Sequence, residues 1–306
     1  MQFLCIEARE CSERIKEYIY NEIKELNKFN IDFFIEDKID SDDKVCIKCK
    51  VDVSKIKPEQ LSLIYNELII SFSNGLADYI IKEYEEKMIM RIINSNYCYF
   101  NSMEKKEILK TTLYIINNED KNFLNSLFQI KRRNIIVRKL LEYYKCSNVL
   151  ILEGFVNFRL KEYMKDLEDV VDKAVDDFLM EREYKEFIRL LRYFVDIQEP
   201  KFNIIHVVVG YDNKYVLLNE NKNEITNECI QEFMNDIPEG EINYDDLLVS
   251  SLITMAPRKI MIHGASSFRN KELLETIKNV FWGKAIICAG CELCSVSMIR
   301  NEKKIK

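Results

Sequence analysis

Cys288-Ala-Gly-Cys291-Glu-Leu-Cys294 carries the sharpest chemical signal in the chain. Thiolates are soft donors, and two-residue gaps let a tight turn bring them together, as zinc and iron–sulfur sites require. A fourth donor is needed, and the next residues, Ser295-Val296-Ser297-Met298, contain no cysteine. Topology offers His263 in its place. It ends one predicted strand, RKIMIH (258–263), and Cys288 ends the next, KAIIC (284–288), with a predicted helix over 270–281 between them. Strand–helix–strand at this spacing is a βαβ unit, with parallel strands, a right-handed crossover and both carboxyl ends on one sheet edge. Cys288, Cys291, Cys294 and His263 are therefore the candidate metal ligands, with zinc expected and an iron–sulfur cluster as the alternative. The competing reading is packing alone, because free cysteine is among the most buried residue types. A thioredoxin-like reading of Cys288 and Cys291 is weaker, since only twelve residues follow Cys294.

Other candidates have stronger bland readings. Cys46-Ile47-Lys48-Cys49 lies inside an alternating run, KVCIKCKVDV (44–53). Residues three apart on a strand face opposite ways, so strand packing is expected there. Lys131, Arg132, Arg133, Arg138 and Lys139, with Tyr143 and Tyr144 nearby, form a basic run that could meet nucleic acid or simply be a solvated helix face. His206, in an alternating strand, reads as a satisfied core histidine. No Walker loop, GxGxxG, GxSxG or HExxH is present, and acid–base catalysis by histidine has only His206 and His263 to draw on. No catalytic residue is assigned.

The elements that position these residues form a predominantly helical α+β chain. Residues 1–57 predict a small β-α-β-β unit: a strand over 1–8, a helix over 9–29, and strands over 31–35 and 44–53. Residues 58–200 predict a helical region. Leu61, Ile64, Leu68, Phe72 and Leu76 face inward on a helix running to about Asn94, with Gly75 marking a close crossing or a kink. Helices over 104–116 and 119–145 follow. In 152–197, Val156, Leu160, Tyr163, Leu167, Val170 and Ala174 make one continuous seam. The seam changes phase near 178–183, where a junction or a bend is expected, and resumes inward at Tyr184, Phe187, Ile188, Leu191, Phe194 and Val195. Glu199-Pro200 ends the helical region, so the domain boundary is expected near 198–201. Residues 201–306 predict an α/β domain: strands over 202–210 and 214–218, helices over 227–235 and 244–255, then the βαβ unit ending in the three cysteines.

Bulk properties restrict the function classes. The chain has 306 residues, 47% of them hydrophobic and 31% charged, with only 7 Gly and 4 Pro, which suits packed helices and not disorder or Gly-rich phosphate loops. A net charge of −6 gives no general attraction to nucleic acid or anionic membrane. Its most apolar run, 61–81, contains Asn66, Glu67, Asn74 and Asp78 and reads as no membrane span. No export signal is read at the start, so ten cysteines imply reduced thiols in a cytoplasmic protein.

Several stretches carry a resemblance to a known family: LEGFVNFRLKEY (152–163), EYKEFIRLLRYFVDIQEP (183–200), LLVSSLITMAPRKIMIHG (247–264), LLETIKNVF (273–281), CAGCELC (288–294) and, more loosely, GLADYIIKEYEE (75–86). Together they resemble the YtxC-like family of sporulation proteins. The resemblance implies a cytosolic protein of endospore-forming bacteria and transfers no catalytic residue. The leading expectation is a non-enzymatic protein acting through an unknown protein partner. Metal binding through Cys288, Cys291, Cys294 and His263 is the alternative, and nucleic-acid binding through residues 131–139 is the second alternative.

Overall fold

The computed structural model describes residues 2–8, 12–24, 33–39, 45–51, 58–118, 123–209, 214–226, 243–268 and 270–294. The chain divides into two compact units, residues 1–179 and 180–306. The boundary expected near 198–201 lies within the second unit. The helix expected over 227–235 lies outside the described residues.

The first unit contains strands β1 (Gln2–Ala8), β2 (Phe33–Ile39), β3 (Val45–Val51) and β4 (Val149–Ile151), in the sheet order β2-β3-β1-β4. β1 pairs antiparallel with β3 and parallel with β4. Alternation along β1 and β3 puts Leu4, Ile6, Ala8, Ile47 and Cys49 into one core. Helix α1 (Ser12–Ile23) adds Ile15, Ile19 and Ile23, and α2 (Leu61–Asn96) adds Leu68, Phe72, Leu76 and Ile80. Gly75 leaves α2 unbroken and permits a close crossing. A Cβ there would stand 2.7 Å from the Tyr18 carbonyl oxygen of α1. Helices α3 (Ser102–Asn118), α4 (Phe123–Tyr144) and α5 (Leu152–Arg159) complete the unit together with the first part of α6 (Lys161–Ile197).

The seam of 152–197 behaves differently from expectation at three points. The helix breaks at Leu160, whose φ of −93° and ψ of 31° separate α5 from α6. It runs unbroken through 178–183, and the phase change there coincides with the passage from one unit to the other. Beyond it, Ile188 and Val195 are buried, whereas Tyr184, Phe187 and Phe194 are exposed and not inward.

The second unit contains β5 (Ile204–Val209), β6 (Tyr215–Leu218), β7 (Lys259–His263) and β8 (Ala285–Ile287), in the order β6-β5-β7-β8. β5 pairs antiparallel with β6 and parallel with β7, and β7 pairs parallel with β8 as the βαβ reading requires. Helices α7 (Tyr244–Met255) and α8 (Lys271–Val280) cover one face. Ile205, Val207, Ile260 and Ile262 meet Leu248, Leu252, Leu273 and Ile277 there. Each such side chain, fully buried, contributes about 1.5–3 kcal/mol. Asn270 caps α8 by accepting from the Leu273 amide at 3.2 Å, with Glu272 in the first turn and Lys278 in the last favouring the helix dipole.

Candidate metal centre

The alternation that points Ile260 and Ile262 into the core turns Met261 and His263 to the opposite face of the sheet. His206 is opposite Met261, and Val208 is opposite His263, in the parallel register of β5 with β7. His206 and His263 therefore lie diagonally on one face, ring centroids 5.2 Å apart. On the other side of β7, Met261 pairs with Ile286 of β8. The Cys288 amide donates to the Ile262 carbonyl at 2.9 Å, which carries the ladder one residue past β8. Two residues beyond Ile286, Cys288 thus reaches the level of His263 on the histidine face.

After Cys288 the chain turns back. Gly290 has φ +137°, a conformation that L side chains rarely adopt, and a Cβ there would meet nothing within 4 Å. Glycine is needed here for the backbone path and not for space. The path leads into a helical turn over 292–294, with the Cys294 amide bonded to the Cys291 carbonyl at 3.0 Å.

These pieces gather four donor atoms. His263 Nδ1 lies 3.2 Å from Cys291 Sγ and 3.6 Å from Cys294 Sγ, and the two sulfurs are 3.9 Å apart. With Cys288, all four donor atoms lie within 4.8 Å of one another. Ligands around a tetrahedral zinc stand about 3.8 Å apart for two sulfurs and about 3.5 Å for sulfur and nitrogen, from bond lengths of about 2.3 and 2.0 Å. The observed separations fall around those edges, so this group could hold a metal ion.

Electrostatics favour the ligating forms at Cys291 and His263 but not at Cys288. The Cys294 amide, aided by that of Leu293, lowers the Cys291 thiol below its ordinary value. The Gly290 backbone lowers Cys288, but desolvation and the neighbouring thiols outweigh it and the net displacement is upward. Burial holds both histidines below their ordinary pKa, Lys222 adding to this at each and His206 at His263. His263 is therefore a neutral imidazole with one lone pair at neutral pH. It is 3% exposed, and Cys294 is 8% exposed.

His206 is the residue that sequence reasoning missed. Read as a satisfied core histidine, it is hydrogen-bonded but only half-buried, on the face opposite the core: its Nδ1 lies 3.0 Å from His263 Nε2. The available signal was its place at an alternate position of a strand able to pair beside 258–263.

The other candidates are located elsewhere. Cys49 is in the first core, while Cys46 is on the opposite face of the sheet, its Sγ 2.7 Å from that of Cys5. The basic run is paired with carboxylates throughout. Arg132 is buried against Glu85, Arg133 makes a two-pronged contact with Asp78 at 2.7 and 2.9 Å, and Lys131 faces Asp166. Arg138 and Lys139 both face Glu162, and Tyr144 is buried. Phosphate would have to displace these carboxylates.

Comparison with known proteins places the chain. The model of the YtxC-like family matches residues 70–286. Protein YtxC of Bacillus subtilis (strain 168) is 27% identical over 202 residues, covering 64% of this chain and 69% of that protein. No solved structure matches. The matched residues include His206 and His263 and stop just short of Cys288, so the thiols rest on their own geometry.

Proposed function

The chain belongs to the YtxC-like family, and from that premise we propose that its C-terminal unit binds one zinc ion through His263, Cys288, Cys291 and Cys294. One observation carries this: two sequence-distant pieces of chain, the end of β7 and the turn after β8, bring four soft or borderline donors within 4.8 Å. Spacing favours a single ion over a cubane, whose ligands bind separate irons and stand farther apart. Four protein ligands leave no open position, the pattern of a structural or sensing zinc and not of a hydrolytic one. Zinc would tie residues 288–294 to the sheet edge and offset most of the thiolate charge there.

The setting that suits such a site is a reducing cytoplasm, consistent with the sporulation context that the family resemblance carries. No helix among the described residues is long and apolar enough to cross a membrane. The test is elemental analysis with a visible spectrum on protein purified anaerobically. About one zinc per chain and a colourless protein are expected, with a lower melting temperature after chelation, since ligand at a thousand times its Kd adds about 4.1 kcal/mol. Substoichiometric metal, or a brown iron-bearing protein, would sink the zinc assignment.

Action through protein contacts is the second reading. It is favoured by one face of α6, where Tyr184, Phe187, Leu190, Phe194 and Ile197 are exposed in a helical row. A stable partner that is lost on Phe187→Asp would support it.

A further inference from the structure

We infer that His206 is a positioning residue for this centre: it accepts a hydrogen bond from His263 Nε2–H and thereby presents the Nδ1 lone pair of His263 to the metal. This rests on the zinc reading above. A neutral imidazole has one N–H and one lone pair. His263 Nδ1 faces two sulfurs at 3.2 and 3.6 Å, and its Nε2 faces His206 Nδ1 at 3.0 Å. A metal on Nδ1 requires the proton on Nε2, where it meets an acceptor only if His206 carries its own proton on Nε2. One pair of tautomers therefore satisfies the metal and the buried N–H together.

Metal-bound histidines generally donate their second N–H to a carboxylate, a carbonyl or water. A carboxylate would be poorly suited here. Three thiolates against a divalent ion already leave one excess negative charge, and an anion behind His263 would add to it. Neutral imidazole supplies the acceptor without that charge. The diagonal seating of the two rings comes from the β5–β7 register, in which His206 opposes Met261, so the strand pairing itself delivers the acceptor. His206 is not among the four residues whose donor atoms converge, which separates its role from that of a ligand.

The test uses full-length protein, a chelator-competition titration with zinc, and cobalt(II) as a spectroscopic probe. His206→Leu removes the acceptor, while His206→Asn can place Oδ1 where Nδ1 was. His206→Leu is expected to weaken zinc binding by about 10–100-fold while cobalt keeps the spectrum of three sulfurs and one nitrogen. His206→Asn should recover most of the affinity. Wild-type affinity in His206→Leu would overturn the inference, as would a cobalt spectrum shifted like that of His263→Ala, which would make His206 a ligand. Equal weakness of both variants would assign the effect to ring packing. If His206→Leu does not fold, ¹⁵N spectra of the zinc-loaded wild type decide instead, with only two histidines to assign. Nε2–H on His263 supports the inference, and Nδ1–H overturns it. A wild-type protein that binds no metal removes both proposals, whereas one that binds metal indifferently to residue 206 removes this one alone.

Discussion

The spelling CxxC occurs in two places, once in β3 and twice in overlap after β8, and the two sheets treat it in opposite ways. In β3 the pair falls within a strand of seven residues. Cys49 is fully buried, and burial pushes its thiol up to about 12. Cys46 is on the other face, beyond any shared ligand. At the end of β8 the same spacing begins where the strand stops, Gly290 bends the chain, and the sulfurs fold back toward His263. Spacing alone does not make a site; what counts is whether the backbone between the cysteines is extended or turned. The contrast extends to the rest of each unit. The first buries its polar chemistry, as in Arg132 with Glu85, while the second collects its own at a sheet edge.

The largest test of this contrast is thiol labelling after chelation. Cys291 is exposed and Cys49 is not, so iodoacetamide at mildly alkaline pH is expected to modify Cys291 at least about a thousandfold faster, given an ordinary thiol near 8.5 against one near 12. Peptide mapping by mass spectrometry reads this directly, and comparable rates would erase the distinction between the two motifs. Next comes the buried ion pair. Burial outweighs the pull of Arg132 and leaves Glu85 with a raised pKa, yet removing one partner strands the other. Arg132→Met is expected to cost about 3–5 kcal/mol in urea unfolding without changing zinc content, and Arg132→Met with Glu85→Leu to recover most of it. A small loss in the single variant would mean that water reaches the pair. The smallest effect concerns the crossing at Gly75. Gly75→Ala gains helix propensity but drives a Cβ against backbone, so a net loss of about 1–3 kcal/mol is expected by thermal melting. A gain would show that the helices can move apart there.

Local pattern made most elements legible. Two short apolar runs with a helical stretch between them marked β7, α8 and β8, and parallel topology alone implied that His263 and Cys288 share an edge. What escaped was set by distant partners. β4 has three residues and exists because Val149, Leu150 and Ile151 pair with Cys5, Ile6 and Glu7 of β1. Arg132 sits in a charged run that reads as a solvated face, and only the fold supplies Glu85, 47 residues away. Phe187 and Phe194 hold helical spacing that reads as core, but the inward face of α6 in this unit is taken by Ile188 and Val195. The diagonal placement of His206 required the register of two strands that are 57 residues apart at the histidines.

The turn after β8 has one further effect, on self-association. Among the described residues β8 is an outer strand of its sheet, and an outer strand is a template on which another chain can add. This strand is only three residues long, because the backbone departs at Cys288 to gather the sulfurs. The bend that assembles the donors also withholds the length of edge that a fibril would need to start.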